Sequence, residues 1–109
     1  NACGTQSLAE SAWLVKQSEV VISHDTGMMH IAAAFNKKIV SVWGNTISEF
    51  GMYPFLSENG SSFISEVKGL DCRPCSKIGY DACPKGHFKC MNEQDSSLII
   101  EQAIKLLSQ

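Results

Sequence analysis

Asp25, Thr26, Gly27 and His30 are the residues whose types and spacing best suit the binding of a charged or hydroxyl-bearing ligand. They sit within Glu19-Val-Val-Ile-Ser-His-Asp-Thr-Gly-Met-Met-His-Ile-Ala-Ala-Ala-Phe35. Val20, Val21 and Ile22 form a short β-branched run, as in a strand covered on both faces in a parallel sheet. Met28, Ile31, Ala32 and Phe35 then recur at helical spacing and predict an amphipathic helix starting near Thr26 or Gly27. The corner between them falls at a strand's carboxyl end, where open α/β sheets bind ligands. The first backbone N–H groups of such a helix have no partners within it and suit an anion. Gly27 lets the backbone approach a phosphate closely, and Thr26 adds a hydroxyl donor. Asp25 repels phosphate, so its chemistry is to accept hydrogen bonds from hydroxyls such as those of a sugar, or to cap the helix. His30 follows Thr26 by four residues and shares its helix face, within reach of a phosphate or a hydroxyl. The plainer alternative makes Asp25 only an N-cap, Gly27 only a tight turn and His30 a half-exposed helix residue.

A second group with chemistry in it is Cys72-x2-Cys75-x7-Cys83-x6-Cys90, with Pro74, Pro84 and Gly86 between the cysteines and His87 as a spare ligand. Four thiolates at this spacing can close a tetrahedral zinc site, although a second Cys-x2-Cys pair is lacking. Two disulfides fit the same count in an oxidising compartment, and free structural thiols need neither condition. Nothing pairs one of these cysteines with a base and an orienting carboxylate at recognisable positions, which argues against a nucleophilic role. Cys3, remote in sequence, reads as a small core residue.

The elements that must position these groups follow from the rest of the chain. At 109 residues and 44% hydrophobic, it suits one domain, which at this size buries roughly 65% of its unfolded surface. Nine basic against eleven acidic residues, a formal charge of −2 and no basic run argue against nucleic acid. No apolar stretch approaches the roughly 20 residues of a membrane span, and the N-terminus lacks the pattern of a signal peptide. These features read as a soluble, cytoplasmic protein, and the start at Asn1 without a Met as an excised fragment.

In order, Gly4 and Thr5 make a turn, and Ser7-Leu-Ala-Glu10 matches a capping box that starts a helix running to about Gln17. Leu8, Ala12, Leu14 and Val15, with Trp13 at the side, supply its apolar face. After the central strand and helix, Asn36-Lys37-Lys38 forms a polar turn and Ile39–Trp43 a second strand. Two strands joined through a helix make a βαβ unit with parallel strands. Gly44-Asn45-Thr46 then lies at the same sheet edge as Asp25, where Thr46 is either a donor to a sugar or phosphate or a solvent-facing turn residue. Ile47 to Asn59 reads as a long connection over an apolar patch, and Ser62–Ser65 as a short last strand. Asp95 caps a final helix, Ser96 to Leu107, on which Leu98, Ile99, Ala103, Ile104 and Leu107 form a core stripe.

The succession Gly4-Thr-Gln-Ser-Leu8, Val20-Val-Ile-Ser-His-Asp-Thr-Gly-Met-Met-His-Ile-Ala-Ala-Ala34 and Lys38-Ile-Val-Ser-Val-Trp-Gly-Asn-Thr46 resembles the C-terminal domain of glycosyltransferase family 9. These are the ADP-heptose:lipopolysaccharide heptosyltransferases and their relatives. The resemblance continues through Cys72–Cys90 and the last helix. It implies an α/β, Rossmann-like parallel sheet, residues 1–109 forming the later part of the C-terminal nucleotide-sugar-binding domain of a GT-B enzyme, with a cysteine-rich loop at 72–90. The Gly44-Asn45-Thr46 corner usually reads Gly-Pro-Thr in the family, and here Asn45 stands in place of the proline, an exchange that keeps the turn but does not hold it as rigidly.

What the resemblance implies for function is an inverting, metal-independent transfer of heptose, typically from ADP-heptose, to a lipopolysaccharide or lipid-linked glycan acceptor. Donor contacts fall on Asp25, Thr26, Gly27 and His30, with Ser7 and Leu8 beside the base or ribose and Gly44 and Thr46 as further contacts. No catalytic residue is expected in this stretch, since the family's base is a carboxylate of the N-terminal domain. The family's phosphate-contacting lysine and ribose-contacting acid would lie just upstream of Asn1. No catalytic cofactor is implied, so any zinc on Cys72, Cys75, Cys83 and Cys90 would be structural. No nucleic acid is expected as a partner, and peripheral placement at the inner membrane through the whole protein accompanies the cytoplasmic reading. Two other readings stay open: a different GT-B enzyme such as a UDP-sugar transferase or epimerase, and a non-enzymatic module whose cysteine knot is an interaction surface.

Overall fold

The computed structural model describes residues 1–109. Helix α1 (Leu8–Gln17) leads into strand β1 (Val20–His24), helix α2 (Gly27–Ala34) and strand β2 (Lys38–Trp43). A 3₁₀ turn at Ser48–Phe50 precedes strand β3 (Ser62–Glu66), the single-turn helix α3 (Lys89–Asn92) and helix α4 (Ser96–Leu107). The three strands are parallel in the order β1-β2-β3. Val21 pairs with Ile39, and Val42 with Ser65. The sequence predicts every strand and every long helix of this list; the 3₁₀ turn and α3 are additions within segments expected to be irregular.

β2 is the hydrophobic spine, because as the central strand it is covered on both faces. Ile39, Val40, Ser41, Val42 and Trp43 are all buried. Their alternation divides the core in two, as the two-residue period of a strand requires. Ile39 and Trp43 pack with Met29, Ala32 and Ala33 of α2, joined by Val15, Val21, Leu56 and Ile64. Val40 points the other way, onto Ala103 and Leu106 of α4, with Val20, Phe63 and Ile99 around them. The sheet is therefore sandwiched between α1 and α2 on one face and α4 on the other. The one polar pair in the first layer is satisfied: Trp43 Nε1 donates to Ser41 Oγ at 3.0 Å.

Several expectations about which side chains are inside are corrected. β1 is an edge strand, not one covered on both faces, and Ile22 is half-exposed. α1 buries no residue fully; Leu8, Trp13 and Leu14 are exposed and only Val15 joins the core. α2 turns Met29, Ala32 and Ala33 inward and leaves Phe35 exposed. On α4 the buried stripe is Ile99, Ala103 and Leu106, while Leu98, Ile104 and Leu107 lie at the surface. On α2 the inward set is shifted by one residue, so that Met29 and Ala33 are buried with Ala32, while on α4 Leu106 takes the inward place expected of Leu107. Cys3 is exposed, not a core residue.

Local signals at helix ends are realised as read. The Ser7 backbone N–H donates to Glu10 Oε2 at 2.7 Å, and the Glu10 N–H donates to Ser7 Oγ at 3.2 Å, closing the capping box. Asp95 Oδ1 accepts from the Leu98 N–H at 3.0 Å. The Ser7 backbone N–H, and after it the Ser7 hydroxyl, hold the Glu10 carboxyl below the usual glutamate range. A depressed folded-state value means that this carboxylate supports α1 above the unfolded value of about 4.3 and stops doing so as pH falls through the lower folded value. Protection of the first-turn amides of α1, measured against their intrinsic exchange rates, is accordingly expected to fall below about pH 4, and Glu10→Gln to remove that pH dependence while leaving the rest of the sheet protected.

Candidate functional site

The carboxyl ends of β1 and β2 open into a cleft of about 290 Å³, at the lower end of the volumes typical of small-molecule sites. One wall is the strand edge: His24, Asp25, Val42, Gly44, Asn45 and Thr46. Opposite stand Ile78, Tyr80, Asp81 and Phe88 from the cysteine-rich loop, with Met91 of α3. Asp25 is not a helix cap. The N-cap of α2 is Thr26, which makes no side-chain cap hydrogen bond. The Asp25 carboxylate instead accepts the Thr46 hydroxyl at 3.2 Å, joining the two strand-end corners. Thr26 Oγ1 lies 3.2 Å from Ser23 Oγ.

The expected donor-contacting residues divide into two sets. Asp25, Gly44 and Thr46 line the cleft. Thr26 and Gly27 stand exposed at the start of α2 beside Asp25, and a Cβ on Gly27 would meet nothing within 4 Å, so its approach side is open. His30 is exposed one turn further along α2, and Ser7 and Leu8 are exposed at the start of α1 with Ser7 engaged in its capping box. None of these five lines the cleft.

The opposite wall, drawn from the cysteine-rich segment, is what the sequence does not disclose. That segment has almost no regular structure, yet it is fastened to the strand ends. Arg73 Nε donates to Gly44 O at 2.7 Å, and its Nη2 donates to Thr46 O at 3.0 Å and to Glu66 Oε2 at 2.7 Å. The Cys75 N–H donates to Asn45 O at 2.9 Å, and Asn45 Nδ2 to Tyr80 O at 3.2 Å. Gly79 has φ +80° and presses on the Asn45 amide, where an added Cβ would come within 2.5 Å of Oδ1; only glycine suits that position. Gln94 completes the fastening by donating from Nε2 to Trp43 O and Cys90 O, each at 2.9 Å. Arg73, between Cys72 and Cys75, is a hint of this in the sequence, but it carries no spacing rule.

All five cysteines are free thiols. No three His, Cys, Asp or Glu side chains are drawn together as a metal site. The four clustered thiols are nonetheless neighbours: burial first, and then the charge of Cys72 and Cys83, pushes the Cys75 thiol up. Cys90 is raised in the same way by burial and its three neighbours. Cys83 moves the other way because the Phe88 N–H, 3.4 Å from its Sγ, and further turn amides favour the thiolate. Cys72 Sγ lies 3.7 Å from His87 Nε2.

A three-stranded parallel α/β sheet with a ligand-sized cleft at its strand carboxyl ends, beside an open helix N-terminus, is the arrangement in which open α/β folds bind ligands. Residues 1–78 match glycosyltransferase family 9 (heptosyltransferase), and the chain belongs to that family. It is similar to lipooligosaccharide heptosyltransferase 2 of Campylobacter jejuni serotype O:2, with 30% identity over 98% of this chain and 31% of the relative. The serotype O:6 protein of the same name is 27% identical over 97% of this chain and 31% of the relative. Lipopolysaccharide heptosyltransferase 2 of Escherichia coli K12 is 30% identical over 46% of this chain and 14% of the relative. The chain thus spans about a third of the length of the Campylobacter relatives. No solved structure matches it significantly. No helix is long and apolar enough to cross a membrane.

Arg73 is nearly buried, with 7% of its side chain exposed, and pairs with a Glu66 side chain that is 15% exposed. Arg73→Met would strip two strand-end carbonyls of their donor and leave Glu66 uncompensated, at a cost of about 3–5 kcal/mol. Urea unfolding should report that loss, and hydrogen exchange should locate the first opening in residues 72–90. Glu66→Gln, which keeps an acceptor for Arg73, should cost markedly less.

Proposed function

We propose that the whole protein carrying this chain is an inverting glycosyltransferase that moves heptose from ADP-heptose to a lipopolysaccharide-type acceptor. On this reading residues 1–109 are the later part of its C-terminal, donor-binding domain in a GT-B architecture. The observation that carries the reading is the state of Asp25. Its carboxylate is not spent as a helix cap but is oriented by Thr46 at the cleft, next to an α2 N-terminus that no side chain caps. The names of the relatives support transfer of heptose to a lipooligosaccharide or lipopolysaccharide.

The diphosphate of the donor is assigned to the Gly27 and Met28 backbone N–H groups and the Thr26 hydroxyl, where the helix dipole favours negative charge. His30 stands one turn away as a further donor to phosphate or sugar. Asp25, as an anion, takes hydroxyl groups of the sugar. Transfer is a single displacement: the acceptor oxygen forms a bond to the anomeric carbon as the bond to the diphosphate oxygen breaks, and ADP leaves with the electron pair. The acceptor proton passes to a carboxylate outside this chain. The role of residues 1–109 is to fix the donor and stabilise charge building on the leaving diphosphate, which is electrostatic catalysis by preorganised donors. Residues 1–109 alone are therefore expected to turn over no sugar nucleotide, and turnover by them would refute this division of labour.

For the cysteines we propose, independently of the transferase reading, a structural role with zinc as the ion. The donor set has the right chemistry, four soft thiols in electrostatic reach of one another with His87 alongside, although their sulfurs do not converge on one point. Elemental analysis of the whole protein should find one equivalent of zinc that survives dialysis; a content far below one leaves these cysteines as packing thiols.

Asp25→Ala in the whole protein is expected to weaken binding of ADP-heptose or slow transfer by about tenfold to a hundredfold, as loss of a charged hydrogen-bonding group does, while the melting temperature falls only as far as loss of the single Thr46 hydrogen bond accounts for. Titration with ADP, UDP and GDP tests the base, and preference for UDP would replace the donor by a uridine nucleotide sugar.

A further inference from the structure

The cleft is lined by two carboxylates, Asp25 and Asp81, and by no lysine or arginine. An anionic group is therefore unwelcome among these residues, in keeping with the proposed place of the diphosphate outside the lining, toward the start of α2. What suits two carboxylates with apolar surface beside them is a neutral polyol. Its hydroxyls donate to the carboxylates, and its C–H faces lie against rings and aliphatic groups.

The loop wall supplies that apolar surface at a cost the fold alone gives no reason for. Ile78 is 83% exposed, Tyr80 55% and Phe88 45%, and all three face the same cleft. Large apolar groups clustered around one concavity are the mark of a ligand surface more than of a solvated loop. Nor is the loop free to move them away. Tyr80 is held through its carbonyl by Asn45 Nδ2, and the preceding Gly79 sits against the same amide.

We propose that Tyr80 and Asp81 bind the sugar portion of the donor and determine which sugar is accepted, Tyr80 by covering a C–H face and Asp81 by accepting from hydroxyls. The proposal rests on the donor-binding reading above, in which the diphosphate lies at the start of α2.

The experiment is calorimetric titration of the whole protein with two probes, ADP and ADP-heptose. Asp81→Asn and Tyr80→Ala should each bind ADP within about twofold of the unaltered protein while binding ADP-heptose roughly tenfold or more weaker, the scale of one lost hydrogen bond to a charged group or one lost ring contact. Tyr80→Phe, which keeps the ring, should bind ADP-heptose nearly normally, and it serves as the control if Tyr80→Ala folds poorly. Unchanged ADP-heptose affinity in both Asp81→Asn and Tyr80→Ala overturns the proposal. So does a parallel loss of ADP and ADP-heptose, which would make the loop a structural support, or a defect seen only in the acceptor's KM. If the unaltered protein binds neither probe, the donor reading itself falls and takes this assignment with it; if it binds both and the variants do too, the donor reading stands and only this assignment falls.

Discussion

The guanidinium of Arg73 is the fastening on which the geometry of the cleft depends. A parallel sheet ends in carbonyls that point past the last strand pairing, and at the end of β2 those of Gly44 and Thr46 have no strand partner. Arg73 reaches both and pairs with the Glu66 carboxylate at the end of β3. One rigid fork thus ties the ends of two strands to the beginning of the cysteine-rich loop. A nearly buried ion pair of this kind adds little net stability, because desolvation offsets much of the attraction, but it tolerates few alternative arrangements. Its value here is in fixing geometry.

The strand-end corners owe their availability to the same economy. Thr46 is buried and uses its hydroxyl to orient Asp25, while the carbonyl of the same residue is held by Arg73. Each group that faces the cleft is therefore supported from behind by a residue that does not. Gly44 shares in this. A Cβ there would lie 2.7 Å from Met91 Sδ, so the absence of a side chain lets α3 close against the turn and carry Phe88 and Met91 to the cleft.

Local order was legible in the sequence where a signal acts over three or four residues. Ser7 with Glu10, Asp95 before its helix, and the β-branched runs at Val20 and Ile39 specify elements by short-range hydrogen bonding and periodicity, and all of these form. Orientation was less legible. On α1 and α4 several faces are apolar, and the choice between Leu107 and Leu106, or between Trp13 and Val15, is made by the shape of the sheet beneath and not by the helix. In the site, Asp25, Gly44 and Thr46 could be named because they follow strands directly. Ile78, Tyr80, Asp81 and Phe88 could not, since they reach the cleft only through contacts such as Asn45 to Tyr80, thirty-five residues apart in sequence.

That division between the two walls has a physical consequence for how the cleft can change. The loop is attached mainly through main-chain atoms: the carbonyls of Gly44, Asn45, Thr46 and Tyr80 and the N–H of Cys75. Those attachments are indifferent to the side chains at 78, 80 and 81, which are exposed and contribute little to the core. The opposite wall has no such freedom, because Asp25 and Thr46 satisfy each other and Val42 belongs to the buried spine. Changes of ligand preference can therefore accumulate on the loop without disturbing the sheet, whereas changes at the strand ends alter fold and site together.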